Sequence, residues 1–289
     1  MRSVAKTLAV SWGFLALAFV MGALATRQLA MADSVARCFG MSAVGFAVLA
    51  FFCEYIDSTL GMGYGTALTP LLMVLFGLEP LVVVPCVLAS ELVTGVSAGI
   101  AHHSVGNVSF TRRSKATKVA AILSACSVVG AVAAALVALS VPKVYLKVAI
   151  GLIVLSMGVF ILVSWKRKVR FSWAKVTGLG LVAAFNKGLS GGGYGPLVTG
   201  GQIVSGVEEK SAIGITSLSE GVTCAVGLAV YLIAGKAMAW SLAVPLMLGA
   251  LASVPVSAVT VSRVPTRALR TLVGLATLGL GALTLTQLL

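Results

Sequence analysis

The residues of this chain that could do chemistry come in matched sets. Gly61 to Gly65 reads Gly-Met-Gly-Tyr-Gly, and Gly191 to Gly195 reads Gly-Gly-Gly-Tyr-Gly. Ser90-Glu91-x-Val93-Thr94 follows the first string, and Ser219-Glu220-x-Val222-Thr223 follows the second. A glycine string inside apolar sequence interrupts a helix. The helix that restarts beyond it leaves backbone N–H groups unpaired at the positive end of its dipole, which favours an anion. The spacing therefore predicts an anion site lined by Gly61, Gly63, Tyr64, Gly65 and Thr66 from the first string and by Ser190, Gly191, Gly193, Tyr194 and Gly195 from the second. The plainer alternative is that these glycines only let helices approach closely. Tyr64 and Tyr194 either donate to an oxyanion or fill space. Ser90 and Ser219, with Thr94 and Thr223, bond either a solute or their own helix carbonyls.

Charge inside apolar sequence is costly and points to function or to pairing. Glu91 lies midway along one apolar run and Glu220 holds the matching place in another. They either couple proton movement to transport, each loaded in one state and empty in another, or bond helix ends across a bundle. Asp57 aligns with Lys187, so opposite charges stand just before the two glycine strings. Lys187 either pairs with Asp57 or draws the anion, and Glu54 is spaced to share the helical face of Asp57.

The elements that position these residues are duplicated. Gly61 and Gly191 are 130 residues apart, whereas Ser90 and Ser219 are 129 apart. Between them, Gly77-x-Glu79 matches Gly206-x-Glu208. Ordered matches separated by one indel indicate an internal repeat. Of the 289 residues, 59% are hydrophobic and only 10% charged, with mean hydropathy +1.07, which excludes a soluble globule. The chain reads as an all-α, polytopic membrane protein. A net charge of +13 would suggest nucleic acid in a soluble protein. Here the basic residues fall between apolar runs and read as topology determinants, with a lipid bilayer and no nucleic acid as partner.

Apolar runs cover about 39–55, 60–76, 81–101, 119–141, 144–164, 173–186, 189–204, 212–234, 237–261 and 268–288. Most approach the ~20 residues of a spanning helix. Those beside the glycine strings are shorter and are expected to be half-helices or a broken crossing near the midplane, protected from lipid. A further run, Leu8 to Ala25, is expected to form an extra N-terminal helix within residues 1–36, with cleavage near Ala30-Met31-Ala32 as the alternative. The expected units are then repeat one over 37–165 and repeat two over 166–289.

Dense basic clusters at Arg2 and Lys6, Arg112 to Lys118, Lys166 to Lys175, and Arg263 to Arg270 are expected to be cytoplasmic, with the sparser Arg37, Lys143 and Lys236 outside. That places the N-terminus in the cytoplasm and the C-terminus outside. It also starts the repeats on opposite sides, so they are inverted. Inverted repeats put a site where the copies meet and permit alternating access; a channel remains the alternative.

The five cysteines have no metal-like spacing and read as small buried residues. His102 and His103 read as an interfacial pair whose rings point to different faces. Glu208, Glu209 and Lys210 read as interfacial solvation. With no phosphate loop, nucleophile elbow, zinc-protease or dinucleotide motif, the sequence calls for no enzyme, no metal and no cofactor.

The two glycine strings, Thr69-Pro70, the Gly-x-Glu turns and the serine-bearing helices resemble those of the sulfite exporter TauE/SafE family of bacterial membrane proteins. The resemblance runs from about Cys38 to Leu289. It implies a secondary transporter, generally an exporter, of sulfite, sulfonates or related small sulfur anions in the cell inner membrane. It carries the anion site onto the glycine strings, Ser90 and Ser219. Two features depart from the family pattern: acids follow both serines, and Gly200 stands where the first copy has Pro70. These departures leave a different solute or coupling scheme open, including a carboxylate or another small anion.

Overall fold

The computed structural model describes residues 41–163 and 171–263 and a few isolated helical positions beyond 274. The expected N-terminal helix, its cleavage site, most of the basic cluster from Lys166 to Lys175 and most of the last apolar run lie outside the described residues. The described residues fold into helices joined by short turns: α1 Met41–Leu60, α2 Tyr64–Phe76, α3 Pro80–Val105, α4 Lys115–Ser140, α5 Lys143–Val163, α6 Trp173–Ser190, α7 Tyr194–Val204, α8 Glu209–Ile233 and α9 Trp240–Arg263. Six of these are long and apolar enough to cross a membrane: α1, α3, α4, α5, α8 and α9. The protein is a multi-pass, all-helical membrane protein.

Side-chain size is distributed as lipid demands. On α1, Val44, Val48 and Phe52 recur every fourth residue and face outward. On α4 the buried face is Gly130, Ala131, Ala134, Ala135 and Ala138, while Val128, Val129, Leu136 and Val137 are exposed. Large apolar groups outside and small ones inside suit a helix solvated by hydrocarbon and packed through close backbone approach. Contact is tight enough that a Cβ on Gly130 would meet the carbonyl of Leu181 on α6 at 2.7 Å. One on Gly249 of α9 would strike the carbonyl of Ala47 on α1.

The main packing pairs are α1 with α9, α4 with α6, α3 with α8, α4 with α8 and α3 with α9. Turns repeat between the halves. Gly77 (φ 63°) ends α2 and Glu79 starts α3; Gly206 (φ 83°) follows α7 and Glu208 starts α8. Four cysteines, Cys53, Cys86, Cys126 and Cys224, are buried and free among the described residues.

The first helix continues through Asp57 and stops at Gly61, the first glycine of the string, whose φ of +68° a residue with a side chain rarely adopts. Asp57 can stay helical because its carboxylate has a partner, described below. The second half behaves the same way: α6 continues through Lys187 to Ser190 and ends at Gly191 (φ 70°).

Candidate functional site

The glycine strings meet backbone to backbone. A Cβ on Gly195 would stand 2.5 Å from the carbonyl oxygen of Gly61, and one on Gly65 would strike the carbonyl of Gly191. The contacts are reciprocal, since Gly61 corresponds to Gly191 and Gly65 to Gly195. The same holds for Gly61 against Thr199 and Gly191 against Thr69. The glycines thus serve close approach, while their turns place two helix starts, at Tyr64 and Tyr194, beside one another.

Several polar groups at these starts are paired within the protein. Tyr64 N donates to Asp57 Oδ1 at 3.2 Å, so a carboxylate holds the start of α2. Gly193 N donates to Thr66 Oγ1 at 3.0 Å across the halves, and Gly192 N donates to Ser190 Oγ at 3.1 Å. Ser190 Oγ also donates to Asn186 O at 2.8 Å. Thr199 Oγ1 bonds Gly61 O and Thr216 Oγ1, each at 2.7 Å, and Gln202 Nε2 donates to Thr216 Oγ1 at 3.1 Å.

The centre of the site is Lys187, whose side chain is 0% exposed. Its ammonium pairs with Glu91 of α3 and, at 2.8 Å, with Glu220 Oε1 of α8. One oxygen from each of Asp57, Glu91 and Glu220 lies within 4.8 Å of the others. Glu54 lies nearby, accepting Ser58 Oγ at 2.6 Å and Thr94 Oγ1 at 3.1 Å. One cation therefore serves a cluster of buried acids. Removing two charges from water is offset only when the pair is close and hydrogen-bonded, as this lysine is.

The serines and tyrosines divide. Tyr64 OH and Ser90 Oγ are 2.7 Å apart, joining α2 to α3. Ser219 Oγ donates to the carbonyls of Ile215 and Thr216 at 2.9 and 3.1 Å, within its own helix. Thr223 Oγ1 likewise donates to Ser219 O at 2.9 Å within its own helix and lies 2.6 Å from Ser127 Oγ of α4. Tyr194 is fully buried like Tyr64, but its hydroxyl has no hydrogen-bond partner among the described residues, whereas Tyr64 meets Ser90.

Lys187 does not stand apart with Asp57 as an isolated pair; the two equivalent glutamates hold it. The sequence puts Glu91 and Glu220 at matching places but does not connect them to Lys187. A lysine inside apolar sequence calls for carboxylates from elsewhere, without saying which. His102 differs more from expectation. It is not interfacial but fully buried, with Nε2 3.0 Å from Ser58 O, whereas His103 is exposed and packs on Phe110. Lys210 is half-buried at the start of α8 and donates to Ser262 O, near the end of α9, at 3.2 Å.

A family model described as sulfite exporter TauE/SafE matches residues 46–284. The chain belongs to the sulfite exporter TauE/SafE family. This TauE/SafE protein is also 27% identical over 241 residues to the probable membrane transporter protein YtnM of Bacillus subtilis (strain 168), covering 79% of this chain and 78% of the relative. No solved structure matches it significantly. Family and fold together make it a membrane transporter, and the Lys187 cluster is a concentration of buried charge among its described helices.

Proposed function

We propose that this protein is a secondary transporter that exports a small sulfur-containing anion, sulfite or an organosulfonate, across the cell inner membrane by alternating access coupled to protons. The observation that carries the reading is Lys187, fully buried between Glu91 and Glu220 beside the meeting point of the two glycine strings. An ammonium has three donors and no acceptor. In the present arrangement its partners are the protein's own carboxylates. A proton placed on Glu91 or Glu220 would weaken that carboxylate's hold and let a solute oxyanion take its place at Lys187. Proton and anion would then move through the site in one cycle, without net burial of an unpaired charge.

Repeat symmetry supports alternating access. If α1 corresponds to α6, α3 to α8 and α4 to α9, then the pairs α1 with α9 and α6 with α4 are one contact seen twice. So are α3 with α9 and α8 with α4, and α3 with α8 maps onto itself. Loop charge starts the halves on opposite sides, N-terminus in the cytoplasm and C-terminus outside, so the relating axis lies in the membrane plane. Rocking one half against the other would expose Lys187 alternately.

The test is ligand-linked stabilisation of purified protein at neutral and mildly acidic pH. Sulfite, thiosulfate, taurine, sulfoacetate and simple carboxylates are compared. A solute present at about 100 times its Kd adds about 2.7 kcal/mol. Sulfur oxyanions are expected to stabilise most, and more at the lower pH. Equal stabilisation by every anion, or by carboxylates alone, would refute the assignment.

A further inference from the structure

The glycine interruptions leave last-turn carbonyls without their helical partners, and the protein answers one equivalent pair of them in the same way. Gly61 N still donates to Asp57 O at 2.6 Å, and Gly191 N to Lys187 O at 2.8 Å. The next carbonyls, Ser58 O and Gly188 O, would need amides from residues 62 and 192, beyond the left-handed glycines. Gly192 N has turned to Ser190 Oγ instead. Ser58 O is met by His102 Nε2 at 3.0 Å, and Gly188 O by the hydroxyl of Tyr231 at 3.0 Å.

These bonds are equivalent by sequence. Ser58 and Gly188 are 130 residues apart, and His102 and Tyr231 are 129 apart, the offsets on the two sides of the indel. The helix ends agree. Asn107 N donates to His102 O at 2.9 Å over left-handed Gly106, and Lys236 N donates to Tyr231 O at 3.1 Å over left-handed Gly235. A histidine and a tyrosine, sharing no chemistry except a polar hydrogen at the tip of a ring, thus do one task in two places.

We propose that His102 and Tyr231 are paired positioning residues, each fixing the turn that carries a charged group of the transport site. Ser58 follows Asp57 directly, and Gly188 follows Lys187. Anchoring those carbonyls fixes the last turns of α1 and α6, from which Asp57 and Lys187 extend. A buried carbonyl left without a donor is costly, so each anchor resists movement of its turn. The anchors are not equally strong. Asn107 Nδ2 donates to His102 Nδ1 at 2.9 Å and to Ala258 O of α9 at 3.0 Å, tying the first anchor to a further helix. Lys236 stands at the corresponding place in the second half. The Tyr231 anchor is therefore the one that releases more easily, and the two ends of the pathway open unequally.

This rests on the inverted-repeat reading proposed above, and the experiment separates the two. Cys224 lies 4.0 Å from Glu91 Oε2 and reports access to the site. With Cys38, Cys53, Cys86 and Cys126 replaced by serine or alanine, its reaction with a charged, membrane-impermeant methanethiosulfonate is followed in right-side-out and inverted vesicles. Tyr231→Phe is expected to speed the reaction about tenfold, the scale of one lost hydrogen bond, from one face. His102→Leu is expected to do so from the opposite face, and His102→Gln, which keeps a donor at similar reach, is expected to react as the parent does. Acceleration of both variants from the same face would keep the anchors and remove the inverted repeats. Parent-like rates in both Tyr231→Phe and His102→Leu, or identical behaviour of His102→Leu and His102→Gln, would overturn the proposal.

Discussion

Replacing Lys187 by methionine removes the only cation that holds Glu91 and Glu220 among the described residues, while roughly preserving volume. Lys187 is wholly buried, and both carboxylates are almost so. Breaking a buried pair by deleting one partner costs about 3–5 kcal/mol, because the other charge is left uncompensated. For a chain of this size that corresponds to a loss of roughly 6–20 °C in Tm. The deficit comes from stranded acids and not from lost packing, so neutralising them should reverse it. Lys187→Met with Glu91→Gln should recover part of the loss, and adding Glu220→Gln should recover most of it. The assay is thermal unfolding of detergent-purified protein across the single, double and triple variants. A Lys187→Met protein that melts with the wild type, or one whose deficit persists after both acids are neutralised, would refute the charge-pairing argument.

Further outcomes follow from other parts of the site and surface. Gly195→Ala would drive a methyl to within 2.5 Å of Gly61 O and 2.7 Å of Met62 Cα, so folded yield in size-exclusion profiles should collapse; Gly178→Ala, with open space around it, should be harmless or slightly stabilising. Glu91→Gln should change the pH dependence of transport in proteoliposomes, and an unaltered profile would assign Glu91 a purely structural role. Glu79 lies at the start of α3 with Lys143 bonded to both of its oxygens at 2.6 and 2.7 Å, and this hydrogen bonding, then the charge of Lys143, holds its carboxyl below the usual carboxylate range. Its contribution is thus present at neutral pH and lost as the pH falls through that lowered range. The Tm difference between wild type and Glu79→Gln should therefore be small, reduced by salt, and absent in strong acid.

Much of this architecture was legible because the chain states it twice. The glycine strings marked both helix interruptions, and the Gly-x-Glu pairs marked both turns, with Gly77 and Gly206 in the same left-handed conformation. The small inner face of α4 and the large outer face of α1 follow from composition and lipid. What escaped was pairing between distant segments. Nothing in the local sequence around Lys187 says that Glu91 and Glu220 reach it from α3 and α8. His102 read as interfacial because a histidine pair ends an apolar run. Its burial depends on the orphaned carbonyl of Ser58, which only the fold creates. Ser219 and Ser90 looked identical in sequence, yet one bonds its own helix and the other bonds Tyr64.

Lys187 is the group expected to carry a sulfur oxyanion through the membrane. The direct measurement is exchange of radiolabelled sulfite across proteoliposomes containing wild-type protein, the Lys187→Met, Glu91→Gln, Glu220→Gln triple variant, or no protein. Wild-type vesicles should exchange sulfite, whereas the triple variant, stable but without its cation, should match the empty ones. Equal exchange by the wild type and a folded triple variant would contradict the central role given to Lys187, and no exchange by the wild type would contradict the substrate.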